Sequence, residues 1–375
     1  VQAGLYSGEE GFAMTERGKR IFSKLRDEID AIVLINGDEP NVDMAFSYAA
    51  GTEAGLFEGC VTVIYPDGKV RMLSSQLEET SARRSKAEVT VFPGVEDKMS
   101  MMKDSFGHAS RIGINGHGLT YANLMDIKKA APKAEIIDVS HAIAASRLVK
   151  DQDEIERLRK ACQIATQVGE ELPSIVKEGM PEYEAAAEVG YRMMKLGASS
   201  TSFTTNASWG KNSAEPHHEP DDSRLKKGDM VLFDYGALYN KYGSDVTRTF
   251  VFGRAEKWQK EIYDIVLRSQ MEAIDAVHAG AEAKEIDAVA RRIIDDTQYK
   301  GRFIHSLGHG IGLSVHDGGR FSPMSEIVLE ENMVMTVEPG IYLPGKGGVR
   351  IEDDIRVTKK GCEVLTTAKK EFMVI

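Results

Sequence analysis

Val231-Leu232-Phe233-Asp234-Tyr235-Gly236 and Ser244-Asp245-Val246-Thr247-Arg248-Thr249-Phe250 are two β-rich runs. Between them lies Tyr239-Asn240-Lys241-Tyr242-Gly243, a segment suited to a hairpin turn. Folding one run back on the other brings Asp234 and Asp245 roughly opposite each other. Glu338-Pro339-Gly340 and Arg350-Ile351-Glu352-Asp353-Asp354 repeat the arrangement about the Gly/Pro-rich link 344–348, so Glu338 and Glu352 are also expected to meet across a hairpin. The carboxylates sit beside apolar strand residues, among them Val231, Leu232, Phe233, Val334, Met335 and Val337. Four carboxylates converging inside a sheet repel one another and lose their hydration. Two dications would offset the four negative charges, and a metal is the usual means of holding buried carboxylates together. A single strand aspartate is ordinarily solvated or ion-paired. Arg248 and Arg350 are available as partners here, but two guanidinium groups cannot satisfy all four acids.

An imidazole source lies between the two acid-bearing pairs. His305-Ser306-Leu307-Gly308-His309-Gly310-Ile311-Gly312-Leu313-Ser314-Val315-His316-Asp317 holds three of the nine histidines, and glycines on both sides of His309 let the backbone turn tightly beside a ligand. Pro216-His217-His218 adds another pair upstream of Asp234. A lone histidine is more often a satisfied structural residue than a ligand. A glycine-rich loop with several imidazoles, next to paired acids, reverses that reading.

Outward from these motifs the chain divides near residue 149. Asp151 and Asp153 offer cap oxygens and negative charge to a helix over 154–176. Pro181 suits a first helical position for a second helix reaching about 196. A similar pair is expected over 257–278 and 284–298. Each pair precedes strand-rich sequence, which suggests two related α+β halves across 150–375. Residues 14–149 alternate instead: helix 15–28, strand 31–36, strands 59–64 and 70–73 joined by Tyr65-Pro66-Asp67-Gly68, helix 77–86, strands 88–92 and 111–115, helix 121–131. That pattern implies an α/β layer without a phosphate loop or acid–imidazole cluster, and so a structural or dimerisation domain. Residues 1–13 read as an N-terminal arm or an expression remnant.

Bulk properties narrow the function. A chain of 375 residues fits two domains better than one core. A formal net charge of −11 leaves no basic excess for nucleic acid or for an anionic membrane surface. Cys60, Cys162 and Cys362 are widely spaced without a CxxC pattern, which points to a reducing, cytoplasmic setting. No run of eighteen apolar residues is present, and residues 1–13 have neither the basic start nor the apolar stretch of a signal peptide.

These segments together resemble the creatinase/aminopeptidase superfamily of metallopeptidase family M24, with its pita-bread fold, and within it the Xaa-Pro dipeptidases (prolidases) and Xaa-Pro aminopeptidases. The thirteen-residue stretch from His305 to Asp317 fits that family's histidine loop throughout. Asp-Tyr-Gly, Ser-Asp-Val-Thr-Arg-Thr, Val-Glu-Pro-Gly and Arg-Ile-Glu-Asp-Asp occur in the family's order. The resemblance implies a creatinase-like N-terminal α/β domain over 14–149 and a pita-bread α+β catalytic domain with pseudo-twofold halves over 150–375.

By the same resemblance Asp234, Asp245, His309, Glu338 and Glu352 match five metal ligands. His217 and His316 match substrate-facing histidines, and Arg320 falls where some dipeptidases bind the substrate carboxylate; Arg350 is a further candidate for substrate binding. The chain departs from the family after His316, where Asp317-Gly318-Gly319-Arg320 replaces the usual nearby proline. An oxygen-rich donor set with one nitrogen suits Mn or Co, with Zn or Fe as alternatives. The implied reaction is hydrolysis of the Xaa-Pro bond in dipeptides or short peptides by a metal-bridging hydroxide, with Glu338 as proton shuttle and His217 and His316 as oxyanion and leaving-group partners. Xaa-Pro aminopeptidase activity on longer peptides is the nearest alternative. A metal-dependent hydrolase or lyase of a small non-peptide substrate follows, and a non-catalytic binding protein is the remote one. A homodimer is also implied.

Overall fold

The computed structural model describes residues 8–375, with side chains from Glu16 onward. Residues 1–7 of the expected arm lie outside the described residues. The first helix is Gly8–Ser23, shifted toward the N-terminus from the expected 15–28. Ile21 is fully buried, and the residues beyond Ser23 form the connection to the first strand. The contacts divide the chain into two compact units, Val1–Arg147 and Leu148–Ile375.

The first unit is a mixed six-stranded sheet. Its order is Glu88–Phe92, Val70–Ser75, Val61–Ile64, Ala31–Ile35, Arg111–Ile114, Glu135–Asp138. Ala31–Ile35 is central, parallel to Arg111–Ile114 and antiparallel to Val61–Ile64, and every one of its residues is buried. That explains its unbroken apolar run, since a strand covered on both faces has no solvent side to mark. Helices Met44–Ala50, Val95–Phe106 and Tyr121–Ala130 belong to this layer. The helix expected over 77–86 is instead a 3-10 turn, Gln76–Glu78, followed by the single turn Glu79–Ala82. Thr80, Ser81 and Ser85 are weak helix formers and supply little to prolong it.

The second unit is built twice to one plan. Helices Gln152–Ile175 and Glu182–Lys195 pack on the antiparallel sheet Val246–Val251, Met230–Tyr235, Asn206–Trp209. Helices Lys257–Ala276 and Ala283–Asp295 pack on the sheet Val334–Val337, Asp353–Thr358, Gly361–Val364. Gln152–Ile175 starts with a reciprocal capping box: Glu154 N–H donates to Asp151 Oδ1 at 3.0 Å, and Asp151 N–H donates to Glu154 Oε2 at 2.9 Å. Its buried residues Ala165, Val168, Leu172 and Ile175 have helical spacing and share an apolar cluster with Val231, Phe233, Val246 and Phe250 of that sheet. Pro181 is the N-cap of the next helix, with φ −76 and ψ 153, rather than its first helical residue. No helix among the described residues is long and apolar enough to cross a membrane.

Candidate metal centre

Two hairpins and one loop meet at the centre of the second unit. In the aspartate hairpin, Met230–Tyr235 pairs antiparallel with Val246–Val251 in the register Asp234↔Thr247 and Tyr235↔Val246. Asp234 therefore does not oppose Asp245, as the simple fold-back predicts. It opposes Thr247, two residues on, which leaves the two acids as diagonal neighbours on one face. In the glutamate hairpin, Val337 pairs with Asp353 and Gly340 with Arg350. Both ladders share one register, so Glu338 and Glu352 lie opposite each other in the gap between them. Glu352 N–H donates to the Thr247 carbonyl at 3.2 Å and joins the hairpins.

The histidine loop is stitched to the glutamate hairpin from the other side. Glu338 N–H donates to the Leu307 carbonyl at 2.8 Å, and His309 N–H donates to Thr336 Oγ1 at 3.0 Å. A side chain at Gly308 would run into the Thr336 carbonyl oxygen, so glycine is required for this approach. His309 Nδ1 lies 3.2 Å from the Gly310 carbonyl, which can only accept, so Nδ1 carries the proton. The Nε2 lone pair then faces Asp245 Oδ2 at 3.7 Å and Glu338 Oε1 at 3.5 Å. Burial and the neighbouring His316 ring push the His309 imidazole down to about 4, so it is neutral at neutral pH and available as a donor.

The carboxylates are crowded. Asp245, Glu338 and Glu352 are all raised, first by burial; carboxylate neighbours raise Asp245 and Glu352 further, and Glu338 reaches about 8 against the pull of Arg350. Arg350, itself buried, donates to Asp234 Oδ2 at 2.6 Å, to Tyr342 Oη at 2.9 Å and from Nε to Thr247 Oγ1 at 3.0 Å. Arg248 is directed elsewhere, to Asp353 and to main-chain carbonyls. The Arg350 guanidinium thus bonds one of the four acids directly, and Asp234 Oδ1 and Asp245 Oδ1 are buried without a hydrogen-bond partner. Orphaned carboxylate oxygens beside a neutral imidazole are a donor set that fits cations. Ligand atoms of Asp245, His309 and Glu352 lie within 4.8 Å of one another.

A cavity of about 480 Å³ opens above this floor. Asp234, Asp245, His309, Glu338 and Glu352 all line it, as do His217, His316, Arg320 and Arg350. His217, His316 and Arg320 are on its exposed rim, whereas Arg350 is buried with its nitrogens on protein partners. The His316 ring stands edge-on to His309 with centroids 4.3 Å apart. Sequence reasoning assigned no role to Tyr342, Thr247, Thr336 or Phe203. Tyr342 Oη lies 2.8 Å from His305 Nε2, whose ring donates through Nδ1 to the Ser306 carbonyl at 2.8 Å. A chain Arg350 → Tyr342 → His305 results, each group donating to the next. Phe203 contributes an apolar wall. A signal for the supporting residues was present: Thr247, Thr336, Arg350 and Asp354 each stand two positions from a candidate ligand, hence on its face of the strand.

Most of the chain has counterparts among known proteins. The model for metallopeptidase family M24 matches residues 156–359, and that for the creatinase/prolidase N-terminal domain matches 19–149. The sequence is 39% identical over 345 residues to an Xaa-Pro dipeptidase of Pyrococcus furiosus, spanning 90% of this chain and 97% of that protein. The prolidase structure from Pyrococcus horikoshii OT3 superposes with a TM-score of 0.86 at 36% identity, covering 96% of this chain and 100% of that one. The X-Pro aminopeptidase structure from Thermotoga maritima MSB8 gives 0.86 at 32% identity, covering 92% and 98%.

Proposed function

The chain belongs to metallopeptidase family M24, and we propose that it hydrolyses the Xaa-Pro bond of dipeptides at a site holding two divalent cations. The observation that carries this reading is the floor of the cavity, where four carboxylates and a neutral imidazole converge with buried oxygens left unpaired. Asp234, Asp245, His309, Glu338 and Glu352 would hold the cations, with Mn or Co best suited to so oxygen-rich a set. Bound there, the cations would polarise the scissile carbonyl and acidify water at the site.

The chain's own groups do the rest. Glu338, which lines the cavity floor, takes the proton from the attacking water and passes it to the departing nitrogen. That transfer matters for proline, whose ring amine leaves poorly unless protonated. His217 and His316 donate from the rim to the developing oxyanion. Arg350 acts by holding Asp234 rather than by meeting substrate. Arg320 pairs with the free carboxylate of a dipeptide. Phe203 gives the residue before proline an apolar surface.

Cleavage of longer Xaa-Pro peptides is the second reading, supported by the equal superposition on the Thermotoga maritima X-Pro aminopeptidase. The working unit in this reading is a homodimer in a reducing cytoplasm, in keeping with three free cysteines. The deciding experiment compares Xaa-Pro dipeptides, Xaa-Pro tripeptides and Xaa-Ala controls on Mn- and Co-reconstituted protein. Preference for Xaa-Pro dipeptides is expected. Equal turnover of Xaa-Ala would overturn proline specificity, and faster turnover of tripeptides would favour the aminopeptidase.

A further inference from the structure

Glu182 is the first residue of helix Glu182–Lys195 and is fully buried, far from any apolar role. Its carboxylate accepts four hydrogen bonds. Oε1 accepts from Trp209 N–H at 2.7 Å and from Asn212 Nδ2 at 3.0 Å. Oε2 lies 2.7 Å from His218 Nε2 and accepts from Asp221 N–H at 3.1 Å. Together with His218 and Asp221 it forms a group whose ligand atoms are close enough for a cation. The donors exclude that use. A carboxylate has about four lone-pair sites, and N–H groups fill all of them here, leaving none for a metal. Four N–H donors, one a side-chain amide and one an imidazole, also offset the cost of burying the charge.

All four donors come from one stretch of chain, 209–221, and that stretch carries His217 to the cavity rim. The neighbouring bonds reinforce the same attachment. Trp209 Nε1 donates to the Met180 carbonyl at 3.0 Å, Asn212 Nδ2 to Ser223 Oγ at 3.1 Å, and Glu182 N–H to the Ser223 carbonyl at 3.2 Å. On the other side, Asn206 Nδ2 donates to the Pro216 carbonyl at 3.3 Å, and Asn206 is paired in register with Asp234. His217 therefore stands between two fixed points. One is Glu182 through its sequence neighbour His218; the other is the strand next to the first aspartate.

We propose that Glu182 is a positioning residue for His217, acting through the His218 ring to hold the 209–221 loop so that His217 faces the reacting carbonyl. The proposal rests on the reading of His217 as an oxyanion partner, and its test separates the two. In Glu182→Gln one oxygen becomes an NH2 that confronts N–H donors, so the loop loses at least one anchor. A misplacement of about 1 Å can cost about 10²-fold in rate. Glu182→Gln and His218→Phe are expected to lower kcat by about that factor at unchanged metal content. His218→Gln, which keeps an N–H donor at the Nε2 position, is expected to restore most of it. In a His217→Ala background, Glu182→Gln should cause no further loss.

A readout independent of turnover is the histidine Cε1 NMR spectrum of the Zn-loaded protein, with the His217 signal identified by its absence in His217→Ala. Glu182→Gln should shift or broaden that signal and leave those of His305 and His309 in place. An unmoved His217 signal, or a full additional loss of kcat in the His217→Ala background, overturns the proposal. If His217→Ala alone retains full kcat, the oxyanion role of His217 falls, and the NMR shift still decides whether Glu182 holds the ring.

Discussion

His309 and Glu338 face each other across the seam between the histidine loop and the glutamate hairpin, 3.5 Å apart. The imidazole is kept neutral by burial and is turned by the Gly310 carbonyl so that Nε2 meets Glu338 and Asp245. Replacing Glu338 by Gln removes both a charge and a proton acceptor, so kcat on an Xaa-Pro dipeptide should fall by about 10²–10⁴-fold, the range of a general base. Metal analysis of the same variant checks whether ligation is lost as well; undiminished turnover would sink the shuttle role. Arg320→Ala should raise KM for dipeptides while leaving tripeptides nearly unchanged, which steady-state assays on both resolve. Equal loss on both would refute carboxylate capture. The five candidate ligands were legible because an acid in an apolar strand and an imidazole between glycines are anomalies that a sequence displays. Their partners were less so. Thr247 and Thr336 are ordinary strand residues whose only signal is their two-residue spacing from Asp245 and Glu338, and only register reveals that Tyr342 shares a face with Arg350. Glu182 is harder still, because nothing in Pro-Glu-Tyr-Glu foretells four donors arriving from beyond residue 208.

At the scale of elements, the helix pairs and both hairpins were readable from capping residues, glycine breaks and alternation. The register of the aspartate hairpin was not, because Tyr239-Asn240-Lys241-Tyr242-Gly243 permits several turn geometries. The observed hairpin places Asn240 and Lys241 at positive φ, 46 and 68, and so sets Asp234 against Thr247. The seam between the histidine loop and the glutamate hairpin depends on one backbone approach. Gly308→Ala would press a methyl group into the Thr336 carbonyl oxygen and part the Leu307–Glu338 and His309–Thr336 bonds. Overpacking of this kind costs about 1–3 kcal/mol. Denaturant unfolding of the metal-free variant should register that loss, and Mn titration should show weaker binding because His309 and Glu338 no longer converge. Wild-type stability with unaltered Mn affinity would show that the seam adjusts without strain.

Across the whole molecule, the folded state stores a cost in its own carboxylates that cations relieve. Asp245, Glu338 and Glu352 are raised from ordinary values of 3.8, 4.5 and 4.5, Glu338 to about 8. Raised acids bind more protons in the folded than in the unfolded chain, so their contribution to metal-free stability falls as pH rises from the ordinary carboxylate range toward about 8. The imidazoles of His305 and His309, lowered to about 4, oppose this only up to the ordinary histidine value of 6.5. Chelated protein should therefore melt at a higher temperature near pH 6.5 than near pH 8. Mn or Co should remove or reverse that slope, since ligation requires the ionised acids and the neutral imidazole and stabilises only the folded chain. The same linkage predicts that binding at pH 6.5 releases protons. Calorimetric titrations in buffers of different ionisation enthalpy would then give different apparent heats. A flat melting profile in chelator, with buffer-independent heats, would mean that these three acids are already satisfied without cations.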